Sequence, residues 1–583
     1  MDKDLEAAGA APNLAIPPFT AFRGVSLPPP PPPPKDEGYR PSTASTKRLS
    51  YSTTVSTSQR TIKYAKWGRF AGTELSPQPS DDPEDPLNWP QWRKELNFAS
   101  LIVFVALVSA MKTIFISVNN VMARRYNVSY SSVAALTAVP LIVSAFSGLA
   151  SVTAAKVWGK RPVYLVSMTL VFIGSMWNMR TLDSYRQCMA ARVFQGLGWG
   201  AFDTLVLGSI YDTFFEHERG IRIAIYNIVT VAVTWGAPLF GGLASRNAGR
   251  FTLQFEIINS FFAVAVPLLV FGTAETTFDH IWSVSLQTPG TAMSQFRRPL
   301  IPKGPLKITK QDVFDYLKTI PPVSYKGNLE THVLLQAPRA FAAPTTLLLF
   351  VVTFLPYGSL WAVSETLSLL FTTEPFALRE DSISSLMGGP FMIMTILVSL
   401  VAYYKPYQAR FDKEKHFVTL IAGTAFFMSG LLSFGLATTP NLLNTVSAFN
   451  YPLLAFLLAL LAAGFTALDA TVSPLIFNSS QFTSSNLYSC LRNVADMSTG
   501  VSCLRTLFAG ILVQAVPSAV AADRGELARH AVGLSCAQVL VALGAGAVWW
   551  VWGDRVRRWD GRVMGLVDLS MLRRNESFFE YDD

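Results

Sequence analysis

The chain has 583 residues, 50% of them hydrophobic and only 15% charged, with a mean hydropathy of +0.32. Soluble domains carry about 25% charged residues, so an ordinary globular protein is excluded and long apolar segments are expected. The net charge of +9 comes without a compact basic region interleaved with aromatics. That argues against a nucleic-acid partner and fits loops that hold Lys and Arg on one side of a membrane.

In chain order, residues 1–80 read as a disordered cytoplasmic tail. Pro28–Pro34 is an unbroken proline run, which favours polyproline II and suits an SH3 or WW partner. The Ser/Thr-rich stretch Ser42–Thr61 cannot bury a core. The stretch Asp81-Asp-Pro-Glu-Asp-Pro-Leu-Asn-Trp-Pro then blocks a helix, and Trp89 and Trp92 suit a membrane interface. The first apolar run begins near Leu96, so the first span is expected to direct insertion.

Apolar segments of roughly the ~20 residues needed to cross a bilayer follow at 95–118, 133–155, 162–179, 187–210, 221–243 and 252–272. After a polar interval a second set lies at 344–371, 383–404, 416–437, 447–474, 487–516 and 530–552. The expected fold is all-α and integral to the membrane, with twelve helices in two pseudo-repeated halves. Its parts are a first half (81–273), a central cytoplasmic loop (274–340), a second half (341–553) and a carboxy-terminal tail (554–583). Within the loop, Gln311–Ile320 has helical spacing and could lie along the inner membrane surface.

Lys and Arg are denser on one side. One set of loops holds Lys156, Lys160, Arg161, Arg219, Arg222, Lys405 and Arg410, and the central interval and carboxy tail add more. This bias places both termini in the cytoplasm. The sequon Asn127-Val-Ser would then be exposed outside and is the expected glycosylation site.

Several polar residues interrupt the spans. Arg192 lies inside the fourth, where a charge costs at least ~2.5–3.5 kcal/mol and normally marks a pathway. Gln195 is one turn away, and Gly196, Gly198 and Gly200 allow close helix approach. Asp203 follows Arg192 by eleven residues, about three turns, so both share a face. Glu365 and Asp469 are the second-half candidates for substrate or proton binding. Arg492 and Asp496 have the spacing of an intrahelical ion pair. Arg505 has no evident local partner, and Lys112 and Glu256 are expected to snorkel outward. Trp177, Trp199, Trp235, Tyr357 and Trp361 could line a pocket for flat cations or hydrophobes. The four cysteines form no CxxC pair, so neither a disulfide framework nor a metal site is expected, and no cofactor is implied.

Three motifs occur in order: Gly159-Lys-Arg-Pro-Val-Tyr-Leu after the second span, Arg192-Val-Phe-Gln-Gly-Leu-Gly in the fourth, and Gly236-Ala-Pro-Leu-Phe-Gly-Gly in the fifth. They resemble motifs A, B and C of the major facilitator superfamily, and the Asp-Pro-Glu-Asp-Pro-Leu-Asn-Trp-Pro lead-in resembles its fungal twelve-span drug:proton antiporter branch. The resemblance covers 81–552. It implies that Gly159, Lys160 and Arg161, with Asp212 as a partner, hold one gate. It gives Arg192 a part in proton coupling or substrate charge and associates Gly236, Pro238, Gly241 and Gly242 with exporters. Apart from the resemblance, Asp203 is a candidate proton carrier, since burial raises a carboxyl pKa while Arg192 would lower it. The chain departs from the pattern at Lys156, where the family has an acid, and at Ala237.

The function expected from this is secondary transport by a monomer, with protons driving export of a hydrophobic drug-like compound or secondary metabolite. Uptake of a nutrient or polyamine and a transporter-like receptor are the alternatives. No nucleophile elbow, phosphate loop or His cluster points to an enzyme. The plasma membrane is the expected site, with the vacuolar membrane as the other option.

Overall fold

The computed structural model describes residues 63–65, 72–80, 82, 84–180, 184–248, 253–278, 316, 331–372, 378–404, 413–438, 451–484, 487–523 and 526–565. Pro28–Pro34, the Ser/Thr-rich stretch and Gln311–Ile320 apart from Tyr316 lie outside the described residues.

Helices account for the bundle. In the amino half they are α1 (Gln91–Thr113), α2 (Asn119–Tyr126), α3 (Tyr130–Trp158), α4 (Lys160–Arg180), α5 (Tyr185–Thr213), α6 (Glu216–Ala248) and α7 (Leu253–Gly272). In the carboxy half they are α8 (Thr331–Ala342), α9 (Pro344–Thr372), α10 (Glu380–Leu386), α11 (Gly388–Tyr404), α12 (Lys413–Ala437), α13 (Tyr451–Asp469), α14 (Val472–Ser480), α15 (Leu487–Ala522) and α16 (Leu527–Gly565). A single 3-10 turn, Pro86–Asn88, precedes α1.

Among the described residues, eleven helical segments are long and apolar enough to span a membrane. The segment α5 has the length, at 29 residues, but Arg192, Gln195, Asp203 and its glycines dilute its apolarity. It completes the expected set of twelve because it packs between α3 and α4 inside the amino half. Gly200 shows how tightly: a Cβ there would lie 2.2 Å from Ser147 Oγ and 2.3 Å from the Gly148 nitrogen of α3. Small residues replace the hydrophobic driving force that lipid cannot supply between helices.

Two expected spans are discontinuous. The first stops at Thr113, passes through buried turns at 114–118 and restarts as α2. Ile114, Ile116 and Val118 are β-branched and lose rotamer freedom in a helix. The tenth stops at Asp469 and resumes at Val472; Pro474 cannot donate to the preceding turn and its ring opposes a continuous helix there. Irregular backbone at membrane depth survives only when buried in protein or lining a cavity.

The halves meet along two seams, α3 and α5 against α15, and α6 against α10 and α11. Each half has its own aromatic core: Phe104 stacks on Phe202 at 4.4 Å in the first, and Phe371, Phe427 and Phe434 are fully buried in the second. Two boundaries differ from the sequence reading. The helix α16 continues to Gly565 rather than ending near 553, because Asp560 is buried as an anchor. It accepts from the Thr345 nitrogen at 2.9 Å, from the Thr345 hydroxyl, and from Ser479 Oγ at 2.5 Å. Within 72–80, assigned above to the tail, the Ser76 and Gln78 carbonyls accept from Glu216 and Tyr488 of the helices.

Candidate functional site

The end of the bundle where α1 begins is called proximal here, and the end carrying Asn127 distal. Arg192, seven residues into α5, is fully buried. Its Nε donates to the Leu136 carbonyl at 3.0 Å, and its Nη1 to the Met111 carbonyl at 2.9 Å and Gln195 Oε1 at 2.8 Å. Both carbonyls are free for the same reason. Leu136 is four residues before Pro140, which has no N–H to return the helical bond, and Met111 is in the last turn of the broken α1, whose carbonyls lack intrahelical donors. The rings of Phe115 and Trp199 lie 4.5 and 5.0 Å from the guanidinium carbon and add cation–π attraction.

Asp203 does not contact Arg192. Eleven residues along a helix is about 16 Å, so sharing a face does not bring them together. Instead Lys112, expected to snorkel outward, turns inward and binds Asp203 at 2.5 and 2.7 Å. In the other half Arg505 on α15 finds Asp469 in an ion pair. Asp203 and Asp469 each lie on the fourth long helix of their half. Tyr226 of α6, half-buried, lies within electrostatic reach of both Asp203 and Arg505. Of the aromatics singled out, Trp235, Tyr357 and Trp361 cluster, with ring separations of 5.4 Å and 6.2 Å about Trp361. Arg505 stacks over Tyr357 at 4.7 Å. Trp199 belongs to the Arg192 cluster, and Trp177 faces outward against Phe194.

At the proximal end Gly159 joins α3 to α4 with φ +90°, a region L side chains avoid. A Cβ there would stand 2.3 Å from Glu275 Oε2. The Glu275 carboxylate fills that space and accepts from the Lys160 and Arg161 nitrogens, each at 3.0 Å, capping the first turn of α4. Sequence reasoning missed Glu275; its signal was a lone acid just past the sixth span. Lys160 Nζ lies 2.5 Å from Asp212, and Arg161 reaches the Val270 carbonyl at 3.3 Å. Lys156 crosses between halves to Asp496 of α15 at 2.6 Å, both side chains being buried. Asp496 was expected to pair along its own helix with Arg492; the structure gives it a partner across the seam. Thr499 Oγ1 donates to the Thr204 carbonyl at 3.1 Å beside it. Lys156, Lys160, Asp212 and Asp496 line a cavity of about 110 Å³.

At the distal end the short α2 bridges the halves. Asn119 donates to the fully buried Glu365, the Asn120 nitrogen to Ser368 Oγ at 3.1 Å, and Tyr130 to the Glu365 carbonyl. Ser131 and Ser518 add a contact at 2.8 Å. Among the described residues, Glu365 Oε1 and one Arg192 nitrogen have no hydrogen-bond partner. The amides Asn119 and Asn120, interrupting an apolar run, were the signal for this bridge. In the motif on α6, the helix continues through buried Pro238. A Cβ on Gly236 would meet Phe391 of α11 at 3.1 Å, and one on Gly241 would meet Gln254 Oε1 at 2.6 Å. Gly242 is buried, and Asn127 is exposed and ends α2 in a left-handed turn.

Two six-helix halves, joined across their seam by the buried Lys156–Asp496 pair, define an integral membrane protein of the transporter type. The Major Facilitator Superfamily profile matches residues 100–502, and the chain belongs to that family. It is 34% identical over 207 residues to an uncharacterised MFS-type transporter of Schizosaccharomyces pombe, covering 35% of each chain. It is 29% identical over 213 residues to protein HOL1 of Saccharomyces cerevisiae, covering 36% of this chain and 35% of that protein. It is 29% identical over 119 residues to the MFS antiporter QDR3 of Candida albicans, covering 20% and 17%. The matched stretches thus span about a third or less of these relatives.

Proposed function

We propose that the protein is a proton-coupled exporter of amphipathic, drug-like organic compounds, working by alternating access of its two halves. One observation carries this reading: Asp203 and Asp469, on the fourth long helix of each half, are each neutralised by a cation of their own half, and Arg505 stacks over the Tyr357–Trp361 aromatic cluster. A proton on Asp203 dissolves its pair with Lys112, and a cationic cargo would compete for the same carboxylate. Proton and cargo therefore exclude each other, which is the requirement for exchange. The rings of Trp235, Tyr357 and Trp361 supply a face for a flat apolar body. The proximal end is the cytoplasmic one on this reading, because the denser Lys and Arg lie there. The plasma membrane and glycosylation at Asn127 complete it.

The relationship to QDR3, an antiporter by name, supports export. A second reading, uptake of a polyamine, is supported by the paired carboxylates and by 29% identity over 185 residues to polyamine transporter 3 of Saccharomyces cerevisiae. Cells with and without the chain, screened against drugs, metabolites and polyamines, separate the two. Export predicts lower accumulation and higher resistance in cells that carry it, and Asp203→Asn should flatten the pH dependence. Unchanged pH dependence in that variant removes Asp203 as the proton carrier.

A further inference from the structure

The Asp-Pro-rich lead-in is held at the proximal end by a set of hydrogen bonds. Asp85 is fully buried; one carboxylate oxygen accepts from the Ser80 nitrogen and hydroxyl, each at 2.8 Å, and the other from the Leu87 nitrogen at 2.9 Å. Asn88 returns to the Ser80 and Asp82 carbonyls at 2.8 Å. Prolines at 77, 79, 86 and 90 restrict the backbone of the described parts of the segment. Its base is fixed to α1, where Lys94 Nζ donates to the Leu87 carbonyl at 3.0 Å and Arg93 lies 4.0 Å over the Trp89 ring.

From that base the segment reaches across the seam. The Ser76 carbonyl accepts from the Glu216 nitrogen at 2.8 Å, capping the start of α6 in the amino half. The Gln78 carbonyl accepts from the hydroxyl of Tyr488, at the proximal start of α15 in the carboxy half. Pro77 and Leu87 form part of the wall of the 110 Å³ cavity beside the Lys156–Asp496 pair. The arm is rooted in one half and held to the other through the Gln78–Tyr488 hydrogen bond.

We propose that Ser76–Trp89 is a strap that ties the two halves at the proximal mouth and must release Tyr488 before that mouth opens. It restrains opening from the wall of the proximal cavity.

The test is cysteine labelling of the full-length chain in nanodiscs. Ala495→Cys places a reporter in the cavity wall, with the exposed Cys536 changed to Ser and the other three cysteines buried. Tyr488→Phe removes the hydroxyl contact alone and should raise the labelling rate by a bulky maleimide about fivefold, the population shift expected from one lost hydrogen bond. Asp85→Asn, which loosens the strap at its knot, should raise it as well. Tyr130→Phe, at the distal mouth, should not. Parent-rate labelling in Tyr488→Phe, with complete labelling after denaturation, overturns the proposal. An equal rise in Tyr130→Phe also overturns it, because loosening would then be general. If Asp85→Asn fails to fold, Tyr488→Phe alone decides.

Discussion

The Arg192 guanidinium keeps its place in the bundle because two backbone carbonyls are left without donors, one by Pro140 and one by the break after α1. This predicts an unusual proline effect. Replacing a proline inside a helix ordinarily restores a bond and stabilises; Pro140→Ala should instead take the Leu136 carbonyl from Arg192. A charged hydrogen bond is worth about 1.5–3 kcal/mol, so transport should fall by about tenfold or more with little gain in thermal stability. Arg192→Ala should still insert in the membrane and lose coupled transport; near-normal proton-linked flux in that variant would sink its role. In the sequence Arg192 was legible as an anomaly. Its carbonyl partners were not, since nothing local in the sequence connects residues 111, 136 and 192.

Among elements, the junction of α3 and α4 carries the sharpest prediction. Gly159 has a positive φ and sits against Glu275. Gly159→Ala adds backbone strain of order 1–3 kcal/mol as well as a steric clash, and should lower the unfolding midpoint of the purified protein. Adding Glu275→Ala removes the clash but leaves the strain, so it should restore only part of that loss; full recovery would show that the φ value is immaterial. The helices were readable as apolar runs, because the bilayer fixes their length. The breaks at 114–118 and 470–471 were not, although they place Lys112 and Asp469 at the ends of half-helices. A run of apolar residues looks alike whether continuous or interrupted, and the local hints, β-branched residues at 114–118 and Pro474, are weak.

For the whole molecule, two sets of contacts tie the halves, Lys156–Asp496 with Thr204–Thr499 proximally and Asn119–Glu365 with Ser131–Ser518 distally. The departure at Lys156 is answered by an acid on the opposite half. Lys156→Asp or Asp496→Lys alone leaves like charges facing each other in a buried site, and losing one partner of such a pair costs about 3–5 kcal/mol. Each should cut transport severely, and the double exchange should recover much of it. No recovery in the double variant would mean that the pair's polarity matters beyond its attraction. From sequence, Asp496 pointed to Arg492 because four-residue spacing is visible there, whereas pairing across the seam requires the fold.

The central claim is that proton and organic cargo compete for carboxylates in the two halves. It is tested most directly by flux into inverted membrane vesicles under an imposed pH gradient, using a substrate found by the screen. The account predicts accumulation when the vesicle interior is acidic, collapse on adding a protonophore, and loss of gradient dependence in Asp203→Asn. Accumulation that is indifferent to the gradient, or unchanged in that variant, would contradict it.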